Sequence, residues 1–111
     1  MTDRIIDPHR AIDFIIENGR KFAQAKANRV HLDEFRKSKK ALLMNQSTET
    51  TVNAREQFAY SHAEYIQVLE GIKQAVEVEE ELRWMLVAAQ ARIEVWRSQE
   101  ASNRAEGRAV Q

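Results

Sequence analysis

Cysteine is absent from this 111-residue chain, which removes disulfides, thiol nucleophiles and thiolate metal sites together. One proline and three glycines are too few to punctuate an all-β fold at regular intervals. No apolar run approaches the roughly 18 residues that a bilayer-spanning helix needs, so no membrane partner is expected. The first residues, Met1 to Ile6, hold no apolar stretch of signal-peptide length, and the expected compartment is cytoplasmic. There is no glycine-rich phosphate loop, nucleophile elbow or Ser/His/Asp arrangement. No catalytic residue, cofactor or enzymatic activity is therefore expected. His9, His31 and His62 lie far apart. His31 and Glu34 share a helix face at i, i+3, which is half of a metal site at best, and no metal is expected.

What remains is rich in charge. Charged residues make up 31% and apolar ones 43%, a balance that fits a single folded domain over 1–111. The 17 basic and 17 acidic residues cancel, but they are not evenly spread. Residues 20–44 hold eight basic and two acidic residues, a net of +6, whereas 62–111 hold six basic residues and nine Glu, a net of −3. Either the basic half packs beside the acidic half, or a basic strip is free to meet phosphate.

The order of elements predicts an all-α fold: a long antiparallel helical hairpin with a short N-terminal helix, assembling as a coiled-coil-like bundle oligomer. Asp7-Pro8 is a helix start, because Asp caps free N–H groups and Pro at the first helical position sacrifices no hydrogen bond. A first helical arm spans 8–44. Asn18-Gly19 either ends a short helix in a left-handed cap or is a soft spot in a longer one. The polar segment 45–53 (NQSTETTVN) is a loop. A short helix over 54–60 follows, capped from Asn53. Ser61-His62-Ala63-Glu64 has the spacing of a capping box. Nothing then breaks a long helix over 62–105, and Gly107 marks a frayed tail over 106–111. Its 3-4 spacing is Tyr65, Val68, Ile72, Ala75, Glu79, Leu82, Leu86, Ala89, Ile93 and Trp96, a helical-bundle seam with one polar member. Glu79 can pair with an inward Arg29 or Lys39 of the opposite helix and fix register.

A second apolar stripe lies largely opposite the first: Trp84, Val87, Ala88, Ala91 and Val95. A hairpin covers only one face of each helix, so this stripe predicts self-association, the alternatives being that the short N-terminal helix folds back over it or that a different protein covers it. A two-helix hairpin of this size also has a thin core. The expected oligomer interface is Leu82, Trp84, Leu86, Val87, Ala91, Ile93, Val95 and Trp96.

Two charge clusters complete the inventory. Glu77, Glu79, Glu80 and Glu81 form a solvated face rather than an acid–base pair, apart from Glu79. Arg36, Lys37, Lys39 and Lys40, extended by Arg29, form the candidate DNA-binding row. Such a row can track a phosphate backbone without base specificity and with strong salt dependence. Phe35, Phe58, Tyr60 and Trp84 are available as stacking platforms, although Phe35 and Phe58 also read as core.

The blocks HLDEFRKSKKALLM, AREQFAYSHAEYIQVLEGI and EEELRWMLVAAQARIEVWRSQEASNRAE resemble a family of small helical proteins of tailed phages and prophages associated with recombination genes. The layout (a basic first arm, a polar loop, a long helix with late Trp and Arg) is similar to the UvsY-type recombination mediators. The resemblance implies an oligomer in the bacterial host cytoplasm that binds single-stranded DNA and works with a recombinase or single-strand-binding protein. The alternative is a helical protein–protein adaptor or inhibitor of a host protein with no nucleic-acid role.

Overall fold

The structure, a computed structural model, describes residues 5–110. Among the described residues there are three helices and no strand: α1 (Pro8–Gln46), α2 (Val52–Ser61) and α3 (Ala63–Val110). The all-α expectation is met.

α1 starts where Asp7-Pro8 predicts. The His9 N–H donates to Asp7 Oδ1 at 2.9 Å, which satisfies one of the free donors of the first turn. The helix then runs unbroken for 39 residues, so the expected separate N-terminal helix does not exist. The physical reason lies at Asn18-Gly19. The Asn18 amide donates to the Phe14 carbonyl at 2.9 Å, inside the helix. No described glycine has the positive φ of a left-handed cap.

Both predicted caps after the loop are corrected. The loop is only 47–51, because Asn45 and Gln46 complete α1 while Val52 and Asn53 open α2. Thr51, not Asn53, caps α2, its hydroxyl accepting the Ala54 N–H at 3.1 Å. The capping box does not form. Ser61 closes α2, its hydroxyl donating to the Gln57 carbonyl at 2.7 Å. The cap of α3 is His62, which breaks the helical path at ψ 139°. Its Nδ1 accepts the Glu64 N–H at 3.1 Å. α3 is 48 residues long, about 72 Å at 1.5 Å per residue. Gly107 stays helical rather than ending it, since an interior glycine costs only about 1 kcal/mol. The expected frayed tail is therefore helical over 106–110, and Gln111 lies outside the described residues.

The contacts divide the chain into two compact units. One is Ala23–Glu80, and the other joins the residues up to Phe22 with those from Glu81 onward. In the Ala23–Glu80 unit, α1 and α3 lie antiparallel. Arg29 meets Glu79, Leu32 lies over Gly71 and Lys39 meets Glu64. α2 sits at the turn and closes the small core of Leu43, Ala59 and Tyr65, with Met44 against it. Tyr60 and Tyr65 pack edge to face, their centroids 5.3 Å apart. In the other unit, Arg83 lies over the Phe22 ring, 5.1 Å from its centroid.

The 3-4 seam of α3 is the face that is covered. Tyr65, Glu79 and Ala89 are buried, and its other seven members are half-buried. α1 answers with a strict 4-3 row of its own, at positions 11, 15, 18, 22, 25, 29, 32, 36, 39 and 43, every one of them buried or half-buried. Ile12, Ile16, Phe35 and Leu42 of this helix are exposed. They sit beside that row, and a helix packed on one neighbour covers only one stripe. Phe58 is likewise at the surface, not in the core.

The cap assignments are separable by mutation. His62→Ala should destabilise the fold by about 1 kcal/mol, as loss of a helix N-cap does, while Ser61→Ala should be nearly silent. Chemical denaturation of both variants checks this, and the reverse order would restore the capping box. At Gly71 an added Cβ would meet Leu32 Cδ1 at 3.8 Å, an ordinary contact. Gly71→Ala is therefore expected to stabilise by roughly 0.5–1 kcal/mol through helix propensity, read as a raised thermal midpoint.

Candidate functional site

The first feature is polar and lies in the seam. The Glu79 carboxylate is only 2% exposed. The Arg29 guanidinium grips it with two parallel bonds, Nε–H to Oε2 and Nη2–H to Oε1, the latter at 3.1 Å. Arg29 also reaches Asp33 Oδ2 at 3.2 Å. The hydrogen bonds to Glu79, and then its charge, push the Arg29 pKa above its already high range. This is the pairing that Glu79's place in the α3 seam predicts, with Arg29 and not Lys39 as the partner. A bidentate pair in the seam penalises any sliding of one helix past the other, because a shift leaves a carboxylate without its fork.

The candidate DNA-binding row is consequently not a free strip. Arg29 faces the seam. Lys39 pairs with Glu64 at 3.5 Å. Lys40 pairs with Glu56 at 3.5 Å and lies over the Tyr60 ring, 4.7 Å from its centroid. Its pKa is raised, chiefly by the Tyr60 side chain and also by Glu56. Lys37 lies in the open and pairs with Glu34 at 3.4 Å. Arg36 is half-buried, one heptad beyond Arg29 on the same row. Four of the five nominated side chains thus have a carboxylate beside them. Two partners, Glu64 and Glu56, come from elements that α1 packs against. Tyr60 was available to sequence reasoning only as a stacking platform; nothing in its spacing pointed to Lys40. Asn18 and Arg36 were missed as inward positions, although extending the 4-3 count from Ala11 reaches both.

The second feature is apolar and faces out. Trp84 is 64% exposed, and Val87, Ala88, Ala91 and Val95 are exposed with it. The nominated interface therefore splits in two. Trp84, Val87, Ala91 and Val95 face outward, whereas Leu82, Leu86, Ile93 and Trp96 are half-buried on the seam of their own unit. The reason is geometric, since at 100° per residue one partner helix cannot cover both sets.

Among the described residues no group of three or more His, Asp or Glu could hold a metal. His31 lies beside Phe35, ring centroids 6.3 Å apart, and Glu34 faces Lys37. An open groove of about 280 Å³ runs past Leu32, Phe35, Lys39, Glu64 and Gly71, without a convergent polar set. No described helix is long and apolar enough to cross a membrane. No family model matches the chain, and neither does any curated protein or solved structure. The surfaces themselves therefore carry the functional reading.

The seam pair has a signature in stability. Glu79→Ala leaves a guanidinium at the seam without its carboxylate and should lower the thermal midpoint by roughly 5–10 °C. Replacing both partners, Arg29→Leu with Glu79→Leu, should recover much of that loss. A single variant as stable as the parent would show that the pair carries no weight in the fold.

Proposed function

We propose that this chain is a non-catalytic interaction protein that works as a self-associated helical assembly, with the outward face of α3 as its docking surface. The observation that supports this most directly is the Trp84–Val95 stripe, apolar and left open by the chain's own packing. Exposed apolar patches of this kind mark association surfaces. On this reading the carboxylates beside the basic row neutralise it within the chain, and the partner is protein. Sedimentation velocity should show a species larger than the monomer, and Trp84→Glu should dissociate it while leaving the helical circular dichroism unchanged. A parent protein that stays monomeric at high concentration would overturn the proposal.

A second reading keeps the resemblance to phage recombination mediators: an oligomer that binds single-stranded DNA in the host cytoplasm alongside a recombinase or single-strand-binding protein. Its support is the weakness of the surface pairs. Lys37–Glu34 is exposed on both sides, and the Lys39 and Lys40 pairs are 3.5 Å long. Such pairs are worth little and exchange readily for phosphate. Fluorescence anisotropy with a labelled single-stranded oligonucleotide at about 50 and 200 mM salt separates the two readings. Binding that weakens steeply between those salts, and is lost on charge reversal at Lys37, Lys39 and Lys40, would establish the DNA reading. No binding at either salt would leave the protein-partner reading.

A further inference from the structure

The exposed stripe of α3 has an internal order that says how a second copy would lie on it. Trp84, Ala88, Ala91 and Val95 follow a 4-3-4 spacing. The same row continues to Glu81 on one side and Ser98 on the other, all of them exposed. Large residues therefore flank two alanines, with a carboxylate at one end and a hydroxyl at the other. We infer that the docking partner of this face is the same face of a second copy, running antiparallel.

Two independent features favour that direction. The first is charge. In a parallel pair each position meets itself, so Glu81 would lie against the partner's Glu81 inside the interface, a like-charge contact that is costly to desolvate. In an antiparallel pair Glu81 falls across from the partner's Ser98, whose hydroxyl can donate to it. The second is size. A parallel pair sets Trp84 against the partner's Trp84 at one level and leaves alanine against alanine at the next two. The antiparallel pair sets Trp84 across from the partner's Val95 at both ends. Ala88 then lies across from the partner's Ala91 in the middle. Alanines at the centre let the two helices approach closely, which brings the flanking Trp84 and Val95 into contact and closes the stripe. The four layers are self-complementary, as a two-fold interface requires.

This inference rests on the reading of the stripe as a self-association surface, and its test separates the two. The chain has no cysteine, so introduced thiols report without background. Glu81→Cys and Ser98→Cys are prepared singly in the full chain, both at exposed positions. In the antiparallel register residues 81 and 98 of opposite copies are level. Two copies of residue 81 are then about 25 Å apart along the axis (17 residues at 1.5 Å each), far beyond the Cα separation of about 7 Å that a disulfide tolerates. Under mild oxidation neither variant alone should form a covalent dimer, and an equimolar mixture should form a mixed one. If each variant cross-links to itself, the pair is parallel and the inference is wrong, while the self-association reading stands. If no combination cross-links yet sedimentation shows an oligomer, the copies meet through another face and the inference again fails. A monomer in sedimentation overturns both.

Discussion

Two long helices packed side by side can each cover only one stripe of the other. Most of what this chain shows follows from that constraint. The 3-4 row of α3 and the 4-3 row of α1 are the two covered stripes. Large apolar side chains off them, among them Ile16, Leu42, Val78 and Trp84, face water. Among the described residues the buried apolar set is correspondingly small and made mostly of alanine, with Leu43 and Tyr65 as its large members. Those two lie where α2 folds across the turn and supplies the third wall that the long helices lack.

A thin seam raises the question of register. Apolar contacts alone tolerate sliding by a heptad, because one heptad resembles the next. The Arg29–Glu79 fork does not. Polar groups at seam positions lower stability relative to well-packed apolar residues, but they penalise the wrong alignment more than the right one. The same logic explains why the nominated basic row is not an open strip. A helix whose inward row contains Arg29 and Lys39 brings those side chains to Glu79 and Glu64 of its neighbour, and Lys40 at the margin finds Glu56 and Tyr60.

The proposed function draws on what the seam leaves uncovered. Four of the five nominated basic side chains have a carboxylate beside them, whereas no described element covers the Trp84–Val95 stripe. That difference, rather than net charge, is the basis for proposing protein rather than nucleic acid as the partner. The ion pairs on the surface are weak enough that a polyanion could still compete for them.

Sequence alone determined the seam of α3 down to its single polar member, the start of α1 at Asp7-Pro8, and the second stripe. Each depends on residues within a few turns of one another, so the periodicity of a single helix contains them. The continuity of α1 through Asn18-Gly19, the caps at Thr51 and His62, and the fate of the basic row were decided only by tertiary structure. Ser61 and His62 compete for one helix start, and packing of α2 against Leu43 and Tyr65 settles which of them leaves the helical path. Arg29 has its partner 50 residues away, and no local pattern states which carboxylate will be opposite once two helices have chosen their register.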